Sequence, residues 1–239
     1  MITDQHLAGL VDLVRQRYPD WEDVAHPGFA ADELAYKRAA AAKAQAQLSR
    51  QALDDLIAAE AFDDCLARLE RLGNDTNLLW RRVPSAGDTA VLNHPHLDKA
   101  TFCTQLRNLL HGDRPAPQRL QSFSDYLASH DLPNGWPFPT YFLFLLHPET
   151  ELFVKPRAAH WFLRYVGETA VTVTTPPTAD TYARLREHAR DLLAALAEFG
   201  AQDLIDVQSI LWVAHRESRA RAGRLDARGQ VELEIPPAS

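Results

Sequence analysis

The chain has 239 residues, 46% of them hydrophobic and 24% charged, and a net charge of -7. Such a length supports a sizeable core without disulfide or metal staples, and the composition lies far from the disordered range. The acidic balance excludes a protein that coats nucleic acid indiscriminately, because phosphate neutralisation supplies that affinity, but it leaves room for a local basic face.

Thr3 is placed to cap a helix from Asp4 to about Arg17, with Leu7, Leu10, Val11 and Val14 on one face. A turn at Pro27-Gly28 precedes an alanine-rich stretch, Ala31 to Leu48, for which alanine's helix propensity predicts a long helix. Ser49 reads as the cap of the next helix, and Phe62, Leu66, Leu69 and Leu72 recur at helical spacing before Gly73. Residues 1–79 carry 14 acids against 8 bases, so residues 1–73 read as an acidic helical subdomain. Turn formers then surround Asn77 to Val83 and Thr89 to Leu92, which predicts a small hairpin over about 77–92.

Helical periodicity returns from Asp98 to Gly112 and again from Pro115 to His130. The run from Leu132 to Pro139 holds three prolines and reads as a rigid aromatic loop, and Thr140 to Leu146 as a buried helical turn or strand. Pro156 opens a helix through Val166, and alternation at 170–175 predicts an edge strand. Two more helices follow, Ala179 to Phe199 and about Gln202 to His215. An Arg-rich tail over 216–239 has a possible strand at 231–235. The expected fold is mainly α: a multi-helix bundle with a few short strands, a core module over 74–215, and all parts packed as one unit.

No apolar run approaches the ~18 residues of a membrane span. The N-terminus lacks a signal-peptide pattern, and Cys65 and Cys103 sit among helix-pattern apolar residues. A cytoplasmic chain with no membrane contact and no cofactor is expected. The loops that cradle phosphate, the Gly-x-Ser-x-Gly elbow and the His-Glu-x-x-His zinc motif are all missing from the sequence.

Three features carry chemistry. His94 and His96, with Asp98 nearby, form a sparse metal-ligand pattern without a second cluster. Between Trp136 and Trp161 aromatics interleave with bases: Lys155 precedes the helix, and Arg157, His160 and Arg164 recur on it at i, i+3 and i+7 as one basic stripe. Cations fix a phosphate backbone and π-faces stack exposed bases, so Trp136, Lys155, Arg157, His160 and Arg164 form a nucleic-acid-binding set, although aromatics at these spacings usually pack a core. Arg216, Arg219, Arg221 and Arg224 add a basic handle for nucleic acid or an acidic protein, or else a solvated terminus.

Two runs carry a family likeness: Trp136-Pro-Phe-Pro-Thr-Tyr-Phe-Leu-Phe-Leu-Leu-His-Pro-Glu with Leu152-Phe-Val-Lys-Pro, and Asp203-Leu-Ile-Asp-Val-Gln-Ser-Ile-Leu-Trp-Val-Ala. Over about residues 74–215 the chain resembles a module attached to AAA+ ATPase regions in McrB-like restriction proteins and found in some HNH-nuclease-associated proteins. The resemblance implies a bacterial defence setting, a role in recognition or assembly, and an ATPase or nuclease as partner chain. It transfers no catalytic residue, because the Walker loop and the HNH residues have no match here. The expectation is a non-catalytic recognition or adaptor protein that contacts DNA or RNA. The alternatives are an assembly subunit that touches no nucleic acid, and a metal-dependent hydrolase or nuclease built on His94 and His96.

Overall fold

The computed structural model describes residues 2–80 and 86–227, with only the backbone of 224–227. Helix α1, Asp4–Arg17, opens on the expected Thr3 cap, whose hydroxyl accepts from the His6 N–H while His6 Nδ1 accepts from the Thr3 N–H. Pro27-Gly28 is not a free turn. Pro27 occupies the first position of α2, Pro27–Phe29, where its missing N–H costs nothing, and His26 Nδ1 caps the Phe29 N–H. The helix passes through a π-helical segment, Ala30–Leu34, into α3, Ala35–Gln47. Ser49 caps α4, Arg50–Ala58, as expected, and α5 spans Phe62–Asn74.

Asp98 caps α6, Lys99–His111, through the Thr101 N–H. Helix α7 spans Ala116–Ser129. Helix α8, Pro137–Leu146, buries every residue from Phe138 to Leu146, the pattern of a helix enclosed on all sides. Pro137 and Pro139, expected in a loop, lie in its first turn, where proline's fixed φ suits a helix start. Beside α8 lies α3, whose Ala40, Ala41 and Ala44 are small enough to let the two backbones approach closely. Helix α9 is Pro156–Tyr165, α10 Ala179–Ala195 and α11 Leu204–Ala227.

Helix α1 packs along α11, α10 against α7 and α11, and α9 against α11, so the N-terminal helices share one core with the rest. The described residues form helices joined by turns and irregular segments, with no strand among them, and the expected strands need correction. Residues 81–85 of the expected hairpin lie outside the described set; of its second arm, Ala90–Asn93 form a 3-10 turn that buries Val91. Residues 170–175 are irregular: the Thr174 carbonyl accepts from the Trp136 indole, not from a neighbouring strand. The proposed strand at 231–235 lies outside the described residues. The Arg-rich segment is no separate tail as far as residue 227, since α11 runs through it unbroken. No helix among the described residues is long and apolar enough to cross a membrane.

Candidate nucleic-acid interface

Lys155 is positioned from below by two polar anchors. The Thr140 hydroxyl, on α8, accepts from the Val154 N–H at 3.1 Å and donates to the Trp136 carbonyl at 2.6 Å. One residue-turn earlier, buried Glu151 accepts from the Arg186 guanidinium at 2.7 Å, and the Tyr182 hydroxyl lies 3.1 Å from Glu151 Oε2 and 3.2 Å from the Leu152 carbonyl. Burial, then the Glu151 carboxylate, holds the Tyr182 phenol well above its usual range, so it stays neutral and anchors this segment. The segment 151–154 is thereby fixed in the interior and delivers Lys155 to the surface as the residue before α9.

Here a groove of about 660 Å³ opens, lined by Trp80 and Asp88, by Lys155, Arg157 and Ala158 at the start of α9, and by Trp212, His215 and Arg219 of α11. Its volume falls within the range of small-ligand sites. On α11 the positions 208, 212, 215 and 219 share one helical face, which brings Gln208, Trp212, His215 and Arg219 into line. Lys155 Nζ lies 5.1 Å from the Trp212 ring centroid and 6.0 Å from that of Phe153. It makes no hydrogen bond or ion pair among the described residues. Burial lowers its pKa, against the opposing pull of Asp88. No side chain caps α9, and Pro156 has no N–H, so the first-turn N–H groups of Arg157 and Ala158 are left for whatever fills the groove.

The far wall is a pinched loop. Asp88 Oδ2 accepts from the Trp80 N–H at 2.6 Å, and the Asp88 N–H donates to the Trp80 carbonyl at 2.8 Å. Gly87 sits at φ +95°, and a Cβ there would lie 2.4 Å from the Trp80 carbonyl oxygen, so glycine is required. Trp80 is 54% exposed and is the one large hydrophobic side chain standing exposed among the described residues. Burial raises the Asp88 pKa, opposed by the Trp80 N–H and by Lys155. His215 is 7% exposed and its Nδ1 has no hydrogen-bond partner; burial, then the Arg219 charge, lowers its pKa and favours the neutral ring.

The structure redistributes the residues singled out in the sequence. Lys155 and Arg157 meet in the groove, joined by Arg219 from the supposed tail. Trp136 is withdrawn from it: the indole is 1% exposed and donates to the Thr174 carbonyl at 2.6 Å, so it has no face to offer a base. The apolar run after Trp136 explains this, because α8 enters the core at that residue. His160 and Arg164 lie further along α9, half-buried and exposed respectively, away from the groove's lining. Arg216 and Arg221 are exposed on α11 outside it, and the Arg224 side chain lies outside the described residues. His94 and His96 stack edge to face at 5.6 Å, and no group of three or more metal-ligating side chains occurs among the described residues.

Trp80, Trp212 and His215 were missed. The helix expected over about Gln202 to His215 contains Trp212 and His215, and their spacing with Gln208 and Arg219 was already a stripe in the sequence. No protein-family model, curated protein or solved structure matches the chain, so the functional reading rests on this geometry.

Proposed function

We propose that the chain is a non-catalytic recognition protein that holds a nucleic-acid strand in the groove at the start of α9. The observation that supports this most is the convergence of Lys155, Arg157 and Arg219 with the indoles of Trp80 and Trp212 around one uncapped helix terminus. Cations and a helix N-terminus hold phosphate, and exposed indole faces stack bases in any sequence. A single strand suits the site better than a duplex, because only unpaired bases offer their faces. Asp88 is engaged in clamping its own loop, which argues for binding over acid–base chemistry.

The rival assembly-subunit reading needs an exposed apolar patch, whereas among the described residues the exposed large apolar side chain, Trp80, belongs to the groove. The restriction-like setting and an ATPase or nuclease partner rest on the sequence resemblance alone. Its two runs fall largely on α8 and the buried part of α11, so what they share is packing.

Anisotropy titration of a labelled single strand tests the proposal. Three phosphate contacts give a log–log salt slope of about -2, or about 20-fold weaker binding at ~200 mM than at ~50 mM salt. Arg157→Gln should reduce the slope by about 0.7. No binding at low salt, or binding indifferent to salt, overturns it.

A further inference from the structure

Resting on that reading, the donors in the groove identify which part of a strand it takes. Around the α9 terminus stand Lys155, Arg157 and Arg219 against the single carboxylate of Asp88, an excess of two positive charges among the described residues. The first-turn N–H groups of Arg157 and Ala158 add neutral donors and the positive end of the helix dipole. An internal phosphodiester presents one negative charge and two unbridged oxygens. A terminal phosphomonoester presents roughly -1.5 to -2 at neutral pH and three strong acceptor oxygens.

One further observation points to a ligand at this spot. The half-buried amine of Lys155 lacks any carboxylate or carbonyl partner among the described residues. An ammonium group withdrawn from water without a partner costs free energy that a bound anion recovers. The volume of about 660 Å³ also suits a nucleotide or two more than a long tract. We infer that the groove recognises a strand end: a terminal phosphomonoester seated at the N-terminus of α9 between Lys155, Arg157 and Arg219, with the adjoining base against Trp80 or Trp212.

The test uses the full chain and short single strands of one sequence bearing a 5′-phosphate, a 3′-phosphate or neither, each labelled internally, at pH 7.5 and about 100 mM salt. One phosphorylated strand is expected to bind at least tenfold tighter than the unphosphorylated strand. Arg219→Gln, at an exposed helical position, should reduce that ratio to below threefold, as should Lys155→Met, while Arg164→Gln, outside the groove, leaves it intact. Equal binding of all three strands overturns the inference and leaves the nucleic-acid reading standing, as does a ratio that survives both groove substitutions. Failure of every strand to bind ends both. Competition by a nucleoside monophosphate at strand concentration supports the phosphate seat and assigns it to the free nucleotide instead of a strand end.

Discussion

Replacing Lys37 by methionine probes how the interior tolerates a fully enclosed ammonium group. Lys37 is 0% exposed; its Nζ donates to Glu33 Oε2 at 3.0 Å and to the Ser209 hydroxyl at 2.7 Å, joining the π-helical segment and α3 to α11. Burial pulls its pKa down to about 8, against the raising effect of Glu33. Lys37→Met strands the Glu33 carboxylate, whose side chain is 9% exposed, and should cost about 3–5 kcal/mol. In a chain of this size that lowers Tm by roughly 6–20 °C. Ser209 is not stranded, since its hydroxyl also donates to the Glu33 carbonyl at 3.3 Å. The double variant Lys37→Met/Glu33→Leu, which removes both charges, should therefore recover to within about 1 kcal/mol of the parent.

Linkage supplies an independent sign. Below pH 8 the ammonium is protonated whether the chain is folded or not, and folding bears the whole burial penalty. Between about 8 and 10.5 the unfolded chain still holds the proton that the folded chain has released, so this group makes stability rise with pH. Urea unfolding from pH 7 to 10 measures both effects. A single variant within about 1 kcal/mol of the parent, or one that keeps the parent's pH slope, refutes the reasoning.

Other expectations follow from the same contacts. Arg186→Met leaves buried Glu151 without its guanidinium and should cost about 3–5 kcal/mol in urea unfolding, weakening strand binding as Lys155 loses its support. Trp136→Phe removes the bond to the Thr174 carbonyl and should cost about 1–3 kcal/mol while strand affinity stays within about twofold. Gly87→Ala forces a Cβ against the Trp80 carbonyl at a positive φ, and should weaken strand binding more than it lowers Tm.

Much of the helical frame was legible because its signals are local: the Thr3 and Ser49 caps, the alanine run of α3 and the 3.6-residue stripes of α6 and α10 need no tertiary knowledge. The strands at 89–92 and 170–175 failed because β-branched alternation says only that a segment fits an extended surface, while the partner that makes a strand is a tertiary fact. The groove was half legible. Lys155 and Arg157 follow from Pro156 setting a helix start, but Trp212 and His215 reach them only because α11 lies against α9, and Arg219 only because α11 also continues past residue 215. Trp136 lies inside and Trp80 outside for a simple reason. A tryptophan leading an apolar run goes inward with it, and one between turn formers is left outside.

The five tryptophans make the central claim directly measurable, since each indole N–H gives its own nitrogen-correlated NMR signal. On addition of a terminally phosphorylated single strand, the signals of Trp80 and Trp212 should shift, and those of the buried Trp21 and Trp136 should stay in place. Unmoved signals from Trp80 and Trp212 at a strand concentration that saturates binding would contradict the account.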